Sequence, residues 1–257
     1  MTMTFFLHDG PDAFQITDQF NAVPGNGGGT KRPADAAAHF LLHKLRIPET
    51  DGLIGRPRLA DLLDKSRTSF PATVISGRAG TGKTSLAASF ASGFKNVAWM
   101  TVEPPDADWR TFLNYFAAAV TGTAEMFASP KTGELTQTDI ADYLISVFAI
   151  AEKTPPLVVL DGIHHIFDAP WFEDFFKLLL VSLPEKSHVL MTCRCKPPGP
   201  LWRMRSKQQL NVIDEPVLAF TVEETEELFQ LRGLPKSAAL EAHRNAFGRI
   251  GKLMLSM

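Results

Sequence analysis

No apolar run in this sequence approaches the roughly 20 residues that a membrane-spanning helix needs. The N-terminus also lacks the basic-then-apolar pattern of a secretory leader, so the expected compartment is the cytoplasm. Cysteine is scarce: only Cys193 and Cys195 occur, one residue apart. Side chains two apart on a strand point the same way without readily forming a disulfide. No further pair exists for a zinc site, so both read as free thiols in a reducing compartment. An excess of charge of one sign is missing too. Lys and Arg number 26 against 28 Asp and Glu, a formal net charge of −2. No global field therefore draws the chain to nucleic acid or to a membrane surface. No internal repeat of solenoid period is visible.

What is present is dominated by one stretch. Gly77-Arg78-Ala79-Gly80-Thr81-Gly82-Lys83-Thr84 fits G-x-x-x-x-G-K-[ST]. The apolar run 72–76 before it reads as a short buried strand, and 85–91 after it reads as a helix that Gly93 can end. The chemistry needs these residue types. Glycines let backbone N–H groups curl around an anion where a Cβ would clash. The helix that follows points its positive end at the same anion. Lys83 adds a mobile point charge for β- and γ-phosphates, and the Thr84 hydroxyl is a ligand for Mg²⁺. No Asn-Lys-x-Asp guanine signature appears, which favours adenine.

The 257 residues, 45% of them hydrophobic, suffice for one large α/β domain with a smaller appendage. Residues 1–37 contain the low-complexity patch Pro24-Gly25-Asn26-Gly27-Gly28-Gly29-Thr30 and read as a flexible arm and linker. Order is expected from about residue 38. A helix at 58–66 repeats Leu59, Leu62 and Leu63 on one face, with Pro57 suited to its first position. Strands are expected at 96–102, 157–161, 188–192 and 210–213. Helices are expected at 108–120, 138–153, 170–183, 221–231 and 235–247, with a loop or broken helix at 121–137. Strands alternating with helices imply a parallel sheet covered on both faces.

The run Leu157-Val158-Val159-Leu160 closes on Asp161. An aspartate at the carboxyl end of a central strand sits where ligands bind, and can hold Mg²⁺ beside Thr84. ATPases of this architecture usually carry a second acid next, to orient the attacking water. Here the next residue is Gly162, so hydrolysis lacks its most obvious base. His164 and His165 follow: one reading has a histidine polarise water or sense the γ-phosphate, the other has one packed in the loop and one solvated. Arg194 closes the 188–192 strand, where a basic group can meet the γ-phosphate. The basic cluster at 202–207 reads as phosphate sensing in cis, as a weak nucleic-acid patch, or as a solvated helix face. Arg56, after Ile54-Gly55, either contacts the nucleotide or faces water.

These elements occur in an order that resembles a known family. Phe40-Leu41-Leu42-His43-Lys44-Leu45-Arg46-Ile47-Pro48 leads into Leu53-Ile54-Gly55-Arg56-Pro57. The glycine loop, Val97-Ala98-Trp99-Met100, Leu160-Asp161-Gly162-Ile163-His164-His165, Met191-Thr192-Cys193-Arg194 and Leu201-Trp202-Arg203-Met204-Arg205 follow. Leu218-Ala219-Phe220-Thr221-Val222-Glu223-Glu224 completes the set. Over residues 38–257 the chain is similar to the nucleotide-binding module of STAND ATPases, most of all the MalT-like branch of large LuxR-type transcription regulators. The resemblance implies a signal switch: ADP holds such modules closed, while ATP with an inducer opens and oligomerises them. It also implies roles, with Lys83 and Thr84 on phosphate and Mg²⁺, Asp161 on the metal, His164 as the histidine that follows it, Arg56 ahead of the loop, and Arg194 as sensor. Gly162 departs from the family's second acid, and Gly248-Arg249-Ile250-Gly251 lacks a proline that the family carries nearby. A winged-helix domain, a repeat-built sensor and a helix-turn-helix would normally follow residue 257, so operator binding by the family's usual route is not expected.

The expectation is thus an α/β P-loop NTPase core at 38–215 with a small helical subdomain at 216–257. It would bind ATP or ADP with Mg²⁺ as a regulatory switch, hydrolyse ATP slowly, and engage a protein partner or another copy in the ATP state, without contacting DNA or membrane directly. The expected nucleotide contacts are Arg56, Gly77, Ala79, Gly80, Thr81, Gly82, Lys83, Thr84 and Ser85. The expected catalytic residues are Lys83, Asp161, His164 and Arg194, and the metal ligands Thr84 and Asp161. A nucleotide-gated interaction module without turnover, and a phosphotransferase acting on a small acceptor, are the alternatives.

Overall fold

The computed structural model describes residues 43–123, 135–151, 153 and 155–257; the arm expected at 1–37 and most of the loop expected at 121–137 lie outside them. Helix α1 (Pro57–Ser69) leads into strand β1 (Ala72–Ser76), and the glycine loop connects β1 to α2 (Lys83–Ala91). Then follow β2 (Val97–Thr101), a 3₁₀ turn (Pro104–Ala107), α3 (Trp109–Thr121) and α4 (Gln137–Ile150). Strand β3 (Leu157–Asp161), a 3₁₀ turn (Ile163–Ile166), α5 (Phe172–Ser182) and β4 (His188–Cys193) come next. Helix α6 (Gly199–Ser206), β5 (Leu210–Ile213) and the helices α7 (Glu215–Leu218), α8 (Val222–Leu231), α9 (Lys236–Ala246) and α10 (Ile250–Leu253) complete the order.

The five strands form one parallel sheet in the order β2-β3-β4-β1-β5. β1, β3 and β4 are buried at every position, as expected for strands covered on both faces. Successive residues feed opposite layers. Val158 and Leu160 join Phe112, Phe116, Leu144 and Phe175 of α3, α4 and α5. Leu157 and Val159 join Leu59, Leu63, Leu86 and Ala87 of α1 and α2. A separate apolar cluster of Phe220, Leu228, Phe229, Ala239, Ala246 and Leu253 gathers the C-terminal helices.

Local chemistry sets most helix ends. Pro57 occupies the first turn of α1, which runs to Ser69 and past the apolar face that places its end near 66. Asp108 caps α3, and Thr136 with Asp139 forms a capping box on α4. α4 ends at Ile150, three residues short of the expected end. The basic cluster at 202–207 falls largely on α6, with Leu201 and Met204 buried and the arginines outside. Arg203 pairs with Glu173 at 2.7 Å and Arg205 lies over the Trp202 ring, so this cluster is a solvated helix face.

What matters for function is the level at which three strands stop. Asp161 at the end of β3 pairs in register with Thr192 of β4, and Thr192 with Ile75 of β1. The glycine loop, Thr192 and Asp161 therefore share the carboxyl edge of the sheet, where ligands of open α/β sheets bind.

Candidate functional site

Gly80 and Gly82 take positive φ of 72° and 82°, and Gly82 precedes the first residue of α2 in the left-handed conformation. This turn rolls the chain from β1 into α2 and sets Lys83 and Thr84 in the helix's first turn. Lys83 is 7% exposed; its Nζ donates to the Arg78 carbonyl at 2.7 Å and to the Thr81 hydroxyl at 3.2 Å. Burial lowers its pKa from the usual lysine value. The Thr84 hydroxyl lies 2.9 and 3.0 Å from the two carboxylate oxygens of Asp161. Thr192 donates to Asp161 Oδ1, and its oxygen accepts the Gly162 N–H at 3.0 Å.

These groups line a cleft of about 550 Å³. Of the expected site residues, Ala79, Gly80, Gly82, Lys83, Thr84, Ser85, Asp161, His164 and Arg194 border it. Thr81 is buried behind the loop, its hydroxyl donating to the Arg78 carbonyl at 2.9 Å. Gly77 faces away: a Cβ there would lie 3.1 Å from Glu215 Cβ. Arg56 differs most from expectation. Its guanidinium donates to the carbonyls of Leu218 and Ala219, both at 3.0 Å, and to Glu224 at 2.8 Å, and lies over the Phe220 ring. It ties the start of α1 to the segment before α8 and does not border the cleft. It borders a second cavity of about 500 Å³, lined by apolar side chains such as Leu53, Ile54, Phe90, Ile250 and Met254. Gly82, Ser85, Ile250 and Met254 border both spaces.

His164 and His165 pack against each other with ring centroids 4.0 Å apart and planes tilted by 36°. Burial, followed by the charges of His165, Arg194 and Lys83, pushes the His164 pKa down to about 4. At neutral pH its ring is an uncharged acceptor or donor, and its Nδ1 is buried with no hydrogen-bond partner among the described residues.

Four residues of the site are absent from the expected set. Thr192 had a usable signal, a hydroxyl closing an apolar strand. Glu103, also on the cleft, follows β2 and matches no phosphate motif. Glu215 lies 137 residues from Arg78, yet accepts its backbone N–H at 2.8 Å and its guanidinium at 2.8 and 3.1 Å; these bonds hold its carboxyl down to about 2. Gly251 donates its N–H to the Gly80 carbonyl at 2.9 Å, and a Cβ on it would sit 2.9 Å from that oxygen. The C-terminal helices thus rest directly on the glycine loop.

Thr84 and Asp161 present hard oxygen donors side by side, as Mg²⁺ prefers when it also draws on phosphate oxygens, so the residues fit that ion. Among the described residues no cluster of three His, Cys, Asp or Glu side chains is placed to hold a metal alone. No helix among them is long and apolar enough to cross a membrane.

The chain is similar to several known proteins. The model of the AAA domain family matches residues 68–192. The HTH-type transcriptional regulator MalT of Vibrio cholerae is 30% identical over 185 residues, 70% of this chain and 20% of that protein. The MalT of Klebsiella pneumoniae is 26% identical over 164 residues, 62% of this chain and 18% of its own length. The chain thus spans about a fifth of these curated relatives. Among solved structures, a Signal Transduction ATPase with Numerous Domains protein with a tetratricopeptide repeat sensor, from Pyrococcus horikoshii, aligns with a TM-score of 0.52. It is 18% identical and covers 79% of this chain and 29% of that one. A Walker-type ATPase of Pyrococcus abyssi aligns at 0.51, with 13% identity over 81% of this chain and 69% of that one. Sheet and glycine loop together give this chain an α/β P-loop core, similar over residues 68–192 to the AAA domain family and over part of its length to MalT.

Proposed function

We propose that the chain binds ATP and ADP with Mg²⁺ and serves as a nucleotide-dependent switch module that hydrolyses ATP slowly. The observation that carries this reading is the meeting of Lys83, Thr84 and Asp161 in one cleft at the carboxyl edge of the sheet. Ala79, Gly80, Gly82 and Ser85 present backbone to the phosphates, with Gly77 and Thr81 shaping the turn. Lys83 leaves the Arg78 carbonyl to meet the β- and γ-phosphates. Thr84 and Asp161 hold Mg²⁺, which supplies neutralisation of phosphate charge. Thr192 orients Asp161 through its hydroxyl. Arg194, exposed at the cleft, meets the γ-phosphate, and His164 beside it senses the same group. The adenine ring takes the adjoining apolar cavity, which Arg56 supports from its own wall.

The helices of 216–257 act as the responding unit, since Gly251 touches the loop that would grip phosphate and Glu215, just ahead of them, holds Arg78 of that loop. A protein partner or a second copy reads that response, in the cytoplasm. The second reading is nucleotide-gated interaction without turnover, and Gly162 favours it, because no acid follows Asp161.

Titration with a fluorescent ATP analogue tests the assignment. Lys83→Ala removes a charged hydrogen bond worth about 2–3 kcal/mol, so affinity falls about a hundredfold. Unchanged affinity overturns the reading.

A further inference from the structure

The cleft holds two carboxylates among the described residues, Asp161 and Glu103. Asp161 is committed: it accepts the hydroxyls of Thr84 and Thr192. The residue after it has no room for an acid. Gly162 lies at φ +91°, and a Cβ on it would stand 2.9 Å from the Val102 carbonyl oxygen. The same crowding shows where a second acid comes from. Val102 donates its N–H to the Asp161 carbonyl at 2.7 Å, so the chain leaving β2 runs directly alongside Asp161 and Gly162. The residue it delivers to the cleft is Glu103.

Glu103 is held in place from behind. Its backbone N–H donates to the Asp106 carboxylate at 2.7 Å. Asp106 is fully buried and bound by Lys44 Nζ at 2.6 and 2.7 Å. The same ammonium lies 3.7 Å from the Glu103 carboxylate, and His43 approaches it at 3.9 Å. The Glu103 side chain keeps about a third of its surface exposed, which leaves it room to accept a proton from a water.

Resting on the ATP-hydrolysing reading above, we propose that Glu103 is the general base of that hydrolysis. It takes the role from the strand beside Asp161 instead of the position after it. A water hydrogen-bonded to Glu103 forms a bond from its oxygen to the γ-phosphorus as the bond to the β,γ-bridging oxygen breaks. The water's proton passes to the Glu103 carboxylate and then to solvent. The electron pair of the broken bond stays on ADP, and inorganic phosphate leaves.

The test uses the full chain with Glu103→Gln and Glu103→Asp. Three readouts are taken: affinity for a fluorescent ATP analogue, phosphate release with Mg²⁺ and ATP, and the nucleotide still bound after desalting. Removing a positioned base lowers phosphate release in Glu103→Gln about a hundredfold. Affinity stays within about threefold, and the retained nucleotide shifts from ADP to ATP. Glu103→Asp, which keeps the carboxylate, recovers part of the rate. Phosphate release unchanged in Glu103→Gln overturns the proposal and leaves the ATPase reading standing. So does a loss of affinity as large as the loss of rate, which marks a structural role. An unsubstituted chain that binds ATP but releases no phosphate removes both the base and slow hydrolysis. An unsubstituted chain that binds no ATP overturns the parent reading as well.

Discussion

Lys44 and Asp106 form the most deeply buried ion pair described in the chain, with side chains 1% and 0% exposed. Lys44 Nζ also lies 4.0 Å from the centre of the Tyr115 ring. Replacing Lys44 by Met keeps volume and removes charge, which leaves Asp106 buried against a methyl group. One contact survives, the Glu103 N–H on Asp106. Removing one partner of a buried pair costs about 3–5 kcal/mol, because the remaining charge is desolvated and uncompensated. For a chain of this size each kcal/mol moves the melting midpoint by about 2–4 °C, so Lys44→Met should melt about 10 °C lower. The double variant Lys44→Met with Asp106→Leu removes both charges and should regain most of that loss. Urea midpoints of these three chains and of Asp106→Leu alone close the cycle. A Lys44→Met chain within about 1 kcal/mol of the unsubstituted protein, or a double variant no better than the single, refutes the account. The double variant also leaves the Glu103 N–H without its Asp106 acceptor, so phosphate release should fall there even as stability recovers.

Gly162→Asp, which on sequence alone restores the missing acid, should instead destabilise by about 2 kcal/mol without raising phosphate release. Its Cβ meets the Val102 carbonyl and its φ is left-handed; urea melts and phosphate release check this together. Thr192→Val leaves the Gly162 N–H without its side-chain acceptor and Asp161 with only the Thr84 hydroxyl as donor. It should cost about 1–2 kcal/mol and weaken Mg²⁺-dependent nucleotide binding, which titration with and without the ion resolves. Acid should act in two windows. His188 is 1% exposed; its Nδ1 faces the Phe70 carbonyl, which only accepts, so Nδ1 carries the proton, while Nε2 accepts from the Thr73 hydroxyl. Burial pushes its pKa down to about 4, against about 6.5 when unfolded. Between those values the unfolded chain binds more protons, so stability falls as pH drops through them, by up to about 3 kcal/mol. His164 acts in the same direction. Glu215, held at about 2, adds stability above about 4.5 that is lost toward pH 2. The amount is small, since its partner Arg78 is 68% exposed. A urea midpoint that stays flat from pH 7 to 4 contradicts the histidine argument.

What a sequence makes legible depends on how far apart the partners lie. The strands at 72–76, 157–161 and 210–213 can be read to the residue, because short runs dominated by apolar residues end at glycine or a charged residue. The glycine loop is equally local: eight consecutive residues bring their own turn, lysine and hydroxyl. Helix ends are less legible, since α4 stops at Ile150 although helix-forming residues continue to 153. Arg56 shows the limit of resemblance. Position in the chain suggests a nucleotide contact, yet Leu218, Ala219 and Glu224, more than 160 residues on, claim the guanidinium. Gly162 shows the limit of pattern. The pattern marks it as a missing acid, and only the neighbouring strand explains it: with the Val102 carbonyl 2.9 Å from where a Cβ would stand, an acid there would push the two chain ends apart. The hydrogen bond from Val102 to Asp161 that creates this crowding also carries Glu103 to the cleft. The absent side chain and the supplied carboxylate are therefore one structural fact, a pairing across 59 residues that no window along the sequence contains.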